Sequence, residues 1–248
     1  MLVLVVFTDI EGAHLNSNYT IEPIAYIKTP FKEKFGIPRQ PNLCKAKGVI
    51  TLTTEFNSEL AIKGLDSHSH IWLLFLFDQN LDKGWKPSVR PPRLGGNEKV
   101  GVFATRSTFR PNGIGMSVVK LISVKQKDNQ VVIEVEGIDL VNNTPIIDIK
   151  PYIPYSDSII NATSEMANDA PEAKLDVFFS ETANNSLERL DIDEEFITLI
   201  SDVLKQDPRP SYKQNKPDTK VYGIALEEFN ITWQVTEKKC EVLNVEPI

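Results

Sequence analysis

The sequence predicts a mainly β protein: a β-barrel of six or seven strands followed by a smaller C-terminal α+β domain. Three observations carry that prediction. Short β-type runs follow one another from Tyr19 to about Tyr155. No helix-length period separates successive runs, which disfavours a doubly wound parallel sheet. Past Tyr155 the texture changes to a polar linker, a helical period and further β runs.

The opening MLVLVVF is apolar but carries no basic residue and meets an acid soon after, at TDIEG. It lacks the long apolar core and basic flank of a secretory signal, and the roughly twenty apolar residues of a membrane span. Residues 1–18 therefore read as a leader or as a first strand of the fold, and a leader outside the fold is the favoured expectation. The runs TIEPIAYIKT, GVITLTT, HIWLLFLF, KVGVFATR, MSVVKLISV, QVVIEVEGIDL and PIIDIK supply the strands. VVKLISV and VVIEVEG alternate with period two, whereas IWLLFLF is apolar throughout, which predicts burial on both faces. Many short strands with few helical gaps favour a closed or nearly closed barrel. One short helix is expected over Ser58–Leu65, with Asn57 or Ser58 as its cap and Gly64 near its end.

Lys83 to Asn97, KGWKPSVRPPRLGGN, holds three prolines and three glycines. Such a stretch suits neither a helix nor a central strand and predicts a long shaped loop, the kind that usually carries function. A second loop, Arg106 to Gly115, follows directly on GVFAT. After the linker SDSIINATSEMANDAPEA, the sequence predicts a strand at KLDVFFS and one helix over NSLERLDIDEEFITLISDVLKQ. Leu187, Leu190, Ile197, Ile200 and Leu204 form the apolar stripe of that helix. DPRPSY ends it, and two last strands follow, KVYGIALEEFNITWQV and CEVLNVEPI. The expected domains are thus 19–155 and 156–248.

The chain has 248 residues and a net charge of −7, which argues against a protein that coats nucleic acid by bulk charge. The average conceals an asymmetry. Lys83, Lys86, Arg90, Arg93, Lys99, Arg106 and Arg110 face one acid, Glu98, whereas Glu181 to Asp202 holds seven acids against Arg189. The basic stretch also carries Trp85 and Phe109, and cations beside aromatics on a glycine and proline loop suit unstacked RNA bases and phosphates. The bland alternative is a solvated loop whose arginines hold carboxylates elsewhere. Cys44 and Cys240 are too few for a disulfide scaffold and wrongly spaced for zinc, so a reducing cytoplasm is expected.

Among chemistry-bearing groups, His68 and His70 share one side of a strand, yet the third histidine, His14, lies in the leader; no metal is expected. No G-x-S-x-G elbow, phosphate loop or G-x-G-x-x-G fingerprint occurs. A dinucleotide dehydrogenase and a Rossmann-type methyltransferase are therefore both unsupported. Asp139, Asp148 and Lys150 fall near strand ends beside Tyr152, and Asp148 and Lys150 share a strand face by the period of two. Such a pair suits acid or base work, or equally a salt bridge without chemistry.

KEKFGIPRQPNL, GLDSHSHIWLLFLFDQ, VRPPRLGG, VGVFATRSTFRPNGIGMS and DLVNNTPIIDIKPYIPY stand in an order and spacing that resemble the TsaA-like family, most closely the TrmO-type tRNA methyltransferases. DPRPSY and VYGIALEEFNITW extend the resemblance towards the C-terminus. It implies a non-Rossmann barrel that binds S-adenosylmethionine and methylates N6 of threonylcarbamoyladenosine at position 37 of tRNA, usually as a homodimer. The nucleic acid implied is RNA, with neither DNA nor a membrane. By motif match, cofactor contacts fall on Pro41, Asn42, Leu43, Asp78, Gln79, Arg106, Met116, Gly137, Ile138, Asp139 and Leu140. Asp139, Asp148 and Lys150 are the catalytic candidates; Arg90, Arg93, Arg110 and Tyr152 are the substrate-binding ones. The C-terminal domain is expected to help hold the tRNA. Two departures stand out. Gly113 replaces the family's usual proline, which is expected to loosen that loop, and Asn142-Asn143 replace its usual Asp-Gly, which shifts any catalytic base towards Asp139 or Asp148. A non-catalytic RNA-binding barrel is the alternative reading.

Overall fold

The structure is a computed structural model that describes residues 3–5, 19–94, 98–210, 213–214 and 218–248. Strands β1 (Val3–Val5) and β2 (Tyr19–Ile21) pair antiparallel in a sheet of their own, so part of the expected leader does form a ladder; the rest of residues 1–18 lies outside the described residues. Next come β3 (Ala25–Lys28), β4 (Lys47–Leu52), a short α1 (Glu59–Ile62), β5 (His70–Leu76), β6 (Ser88–Val89) and β7 (Val100–Gly101). They are followed by β8 (Ile114–Lys127), β9 (Gln130–Glu136), β10 (Thr144–Pro151) and α2 (Pro154–Asp157). Six of these strands close a barrel in the order β10-β3-β4-β9-β8-β5, every neighbouring pair antiparallel.

The alternation of VVIEVEG becomes the buried and half-buried alternation of β9, with Val131, Ile133 and Val135 in the core. The uniformly apolar IWLLFLF behaves differently from expectation. Ile71, Leu73 and Phe75 point into the barrel, whereas Trp72 and Leu74 lie half-buried outside it. A closed barrel has one dry interior, so the outer row of β5 is left to build other surfaces. Leu74 and Leu76 wall a cavity, and Trp72 packs against Tyr152 with ring centroids 5.9 Å apart.

KVGVFATR does not form the expected barrel strand. Only β7 forms, paired with β6 in a separate ribbon, and Val102–Ala104 close a single helical turn. Val102 alone enters the core there, so the apolar composition of the run overstates its pairing. The expected helix over Ser58–Leu65 shrinks to α1, beyond which Gly64 turns the chain at φ +84°.

The C-terminal domain consists of β11 (Asp176–Phe179), α3 (Glu181–Arg189), α4 (Glu194–Lys205), β12 (Asp218–Leu226), β13 (Phe229–Thr236) and β14 (Lys239–Pro247). Its sheet runs β11-β14-β13-β12, with β11 parallel to β14. The single helix expected over residues 185–206 is two helices. Asp191 takes φ +52°, and the Asp193 carboxylate accepts the Phe196 N–H at 2.8 Å, capping α4. A cap of this kind competes directly with continuation of the preceding helix. The expected final pair of strands is three, because Glu227 at φ +49° turns the chain between Leu226 and Phe229 without a glycine to signal it. The two domains share one continuous core. Phe31 bridges Leu226, Glu227 N–H donates to the Pro30 carbonyl at 2.7 Å, and Lys47 pairs with Glu195 at 2.7 Å. No described helix is long and apolar enough to cross a membrane.

Candidate active site

At one end of the barrel, where β5 runs out and β8 begins, a cavity of about 470 Å³ opens. That volume suits a small-molecule ligand. Three loops converge on it: residues 34–40, the turn after β5 at residues 77–80, and the segment 105–110. The start of β8, Ile114–Ser117, and the β9–β10 connection at Asp139–Val141 complete the wall.

Apolar side chains, Leu74, Phe77, Ile114 and Leu140 among them, give the cavity a surface on which a flat ring can lie. Against it stand four cations, Lys34, Arg39, Arg106 and Arg110, and two acids, Asp78 and Asp139. Neutral groups hold three of the cations. Lys34 Nζ donates to the Gln79 carbonyl at 3.1 Å and to Asn80 Oδ1. Arg106 donates to Gln40 Oε1 at 2.8 Å. Arg110 donates to the carbonyls of Val102 and Thr105 and lies over the exposed Phe103 ring. Among the described residues, none of the four lies within ion-pair distance of a carboxylate. Their charge is therefore available to an anionic ligand.

Asp139 is the unusual acid. Burial pushes its carboxyl up to about 6, although a hydrogen bond donated by Ser117 Oγ at 2.6 Å and the charge of Arg106 pull the other way. Ser117 is itself buried on β8, so barrel closure brings residues 117 and 139 together. A carboxylate with a neutral partner and a pKa near the working pH can accept a proton from a ligand or face a cationic one.

Of the residues the sequence nominates, Asp78, Gln79, Arg106, Arg110, Met116, Asp139 and Leu140 line the cavity. Pro41, Asn42, Leu43, Gly137 and Ile138 do not. Asn42 N–H donates to the Gly137 carbonyl at 2.8 Å, and Asn42 Nδ2 donates to the Val118 carbonyl at 3.0 Å. Gly137 sits at φ +85°, and a Cβ there would fall 2.2 Å from Asn42 Oδ1. These two residues thus grip one another, while Ile138 is core. Asp148 and Lys150 pair at 2.7 Å as their shared face predicts, but both are exposed and neither lines the cavity. Tyr152 packs outside it, edge-on to His70 and tilted against Trp72. Arg90 lies in a neighbouring hollow, and Arg93 donates to the Asp169 carbonyl. His70 Nδ1 meets Ser69 Oγ at 2.9 Å, and no three potential metal ligands cluster among the described residues.

Both departures have local accounts. Gly113 stands at φ +60°, closed to proline, and its loop is tied by Gly113 N–H to the Arg110 carbonyl and Phe77 N–H to the Gly113 carbonyl, at 3.1 and 2.7 Å. Asn143 occupies a left-handed position at φ +64°, which asparagine tolerates in place of glycine. Asn142 Oδ1 accepts the Thr29 N–H at 3.0 Å, an acceptor's task that asparagine and aspartate perform alike. Lys34, Gln40, Asn80 and Ser117 escape the sequence reading. Only proximity in space identifies their roles; the cues in the chain are that Lys34 and Gln40 lie inside the motif KEKFGIPRQPNL and that Ser117 ends the motif VGVFATRSTFRPNGIGMS.

Residues 26–158 match the tRNA-methyltransferase O N-terminal domain family, and residues 172–248 match the TrmO C-terminal domain family. The chain is 45% identical over 233 residues to the tRNA (adenine(37)-N6)-methyltransferase of Escherichia coli strain K12, covering 93% of this chain and 99% of that one. It is 43% identical over 218 residues to a Pseudomonas aeruginosa protein named as a candidate S-adenosylmethionine-dependent methyltransferase, covering 87% and 92%. A crystal structure of TrmO from Pseudomonas aeruginosa superposes with a TM-score of 0.75 at 37% identity, covering 92% of this chain and 98% of that one.

Proposed function

Because the chain belongs to the tRNA-methyltransferase O family, we propose that it transfers a methyl group from S-adenosylmethionine to N6 of adenosine 37 in tRNA, with threonylcarbamoyladenosine as the substrate base. The carrying observation is Asp139, whose carboxyl is pushed up to about 6 in a cavity that also holds four cations, none within ion-pair distance of a carboxylate among the described residues. The residues present fit the cofactor: apolar walls for its adenine, cations for its carboxylate, and Asp78 and Asp139 for its positive charges. When bound, it supplies an electrophilic methyl group.

The protein then has two tasks, alignment and proton removal. N6 of the threonylcarbamoyl base is bonded to a carbonyl, which makes its N–H more acidic than that of plain adenine. Asp139 Oδ accepts that proton as the new N–C bond forms. Arg106 and Arg110, prealigned by Gln40 and by backbone carbonyls, receive the threonyl carboxylate. Base 37 lies in a single-stranded loop, so little unpairing is required.

The tRNA substrate supports a cytoplasmic location, with which the buried free thiols of Cys44 and Cys240 agree. Self-association into a homodimer is supported by Tyr155, Ile159 and Ile160, apolar side chains left 91%, 72% and 95% exposed just beyond the barrel. The deciding experiment incubates purified protein with S-adenosylmethionine and tRNA carrying threonylcarbamoyladenosine, followed by nucleoside mass spectrometry. The expected product is the N6-methylated base. Unmodified tRNA despite intact tRNA binding overturns the proposal in favour of a non-catalytic RNA-binding barrel.

A further inference from the structure

The segment 105–110 has two faces. Thr105, Arg106, Thr108 and Arg110 line the main cavity, whereas Ser107 and Phe109 face a second hollow of about 240 Å³ on the other side. From 106 to 110, successive residues line the two hollows in alternation, so a single stretch of chain separates them. The opposite wall of the hollow is formed by β6 and the residues flanking the β6–β7 ribbon, with Ser88 on β6 and Lys86, Arg90 and Lys99 just outside the strands.

The chemistry of this hollow is that of an anion site. It presents three cations and two hydroxyls, and among the described residues no acid lines it. None of the three cations lies within ion-pair distance of a carboxylate among the described residues. Lys86 is the most constrained of them. Its N–H donates to the Phe109 carbonyl at 3.2 Å, and its ammonium sits over the Phe109 ring, 4.0 Å from the centroid. That cation–π contact holds a long flexible side chain over the hollow.

We propose that this hollow binds the phosphodiester of the nucleotide adjoining the methylated adenosine, with Lys86, Arg90 and Lys99 as phosphate ligands and Phe109 as the positioning residue for Lys86. The proposal rests on the reading of the main cavity as an adenosine site in tRNA. Successive residues of one wall face the two hollows, so an RNA strand crossing that wall inserts a base on one side and lays its backbone on the other. The contact positions the loop without reading sequence. It also explains how a chain of net charge −7 holds RNA: the cations are concentrated at one crossing point.

The test compares wild type with Lys86→Gln/Lys99→Gln, both exposed positions, by tRNA affinity across about 50 to 200 mM salt, where single-stranded contacts each contribute a slope near 0.7. S-adenosylmethionine affinity is measured in parallel by calorimetry. The expected result is a salt slope reduced by about 1.4, a KM for tRNA raised on the order of tenfold and an unchanged cofactor affinity. Lys86→Arg/Lys99→Arg restores binding. Phe109→Leu lowers the slope in the same direction, and adding it to Lys86→Gln changes nothing further. Additive effects of that pair overturn the positioning role of Phe109. If wild type methylates tRNA and the double glutamine variant binds it with the same affinity and slope, the phosphate site is overturned while the proposed function stands. If wild type neither binds nor methylates tRNA, both fall.

Discussion

Asp139 in the barrel and Asp207 in the C-terminal domain are both withdrawn from water, and the fold treats them in opposite ways. Asp207, 2% exposed, receives a bidentate pair of hydrogen bonds at 2.8 Å from Arg209, itself 1% exposed, and holds that guanidinium above its usual pKa. Asp139 receives a serine hydroxyl and no ion pair, and its pKa climbs to about 6. Pairing turns a buried carboxylate into architecture; withholding the pair leaves it reactive. Cations line the same cavity, but Lys34, Arg106 and Arg110 are held by carbonyl and amide oxygens instead.

The strongest challenge to this contrast is Asp139→Asn, which retains an acceptor for Ser117 but loses the base. Methyl transfer should fall by about 10² to 10⁴ in kcat with the fold intact, and single-turnover kinetics check it. An unchanged rate would remove Asp139 from the chemistry. On the other side, Asp207→Ala strands a buried guanidinium and should destabilise the protein by about 3–5 kcal/mol, read from denaturant unfolding.

Wild-type pH dependence comes next in size. Ionised Asp139 is the base, so kcat should rise about tenfold per pH unit below about 6 and level off above it. The stability sign is opposite. The native carboxyl holds its proton up to about 6, whereas the unfolded one releases it near 3.8, so wild type should lose stability relative to Asp139→Asn as pH rises between those values. Ser117→Ala removes a hydrogen bond that lowers the Asp139 pKa and should move the kinetic midpoint further up, visible in the same pH profile. Smallest of all, Asp148→Asn breaks an exposed pair and should alter stability by less than about 1 kcal/mol in thermal melts, with kcat unchanged.

The parts of the site that motifs announce are those in which one short segment does its own work. Asp78 and Gln79 open the turn after β5, and Arg106 opens a loop; each is visible because its neighbours in sequence are its neighbours in space. Ser117 lies 22 positions from Asp139, and Gln40 lies 66 from Arg106. Ser117 and Gln40 both lie inside motifs, but nothing local marks which residue each one meets. The motif match carried Asn42 and Gly137 into the cofactor set, yet their contact is with each other, because a motif records that residues matter together without recording what they touch.

Alternation along VVIEVEG, the proline and glycine loop and the concentration of cations between Lys83 and Arg110 determined from sequence alone that a barrel would present a basic rim. These are properties of local steric preference and of charge order along the chain. Tertiary structure alone decided that the outer row of β5 would wall a cavity, that segment 105–110 would separate two hollows, and that Asp139 would be drawn from water beside a serine hydroxyl while Asp207 would be buried in an ion pair with Arg209. Burial and pairing are relations between distant segments. A carboxylate's pKa therefore follows from the closed barrel, not from its place in the chain.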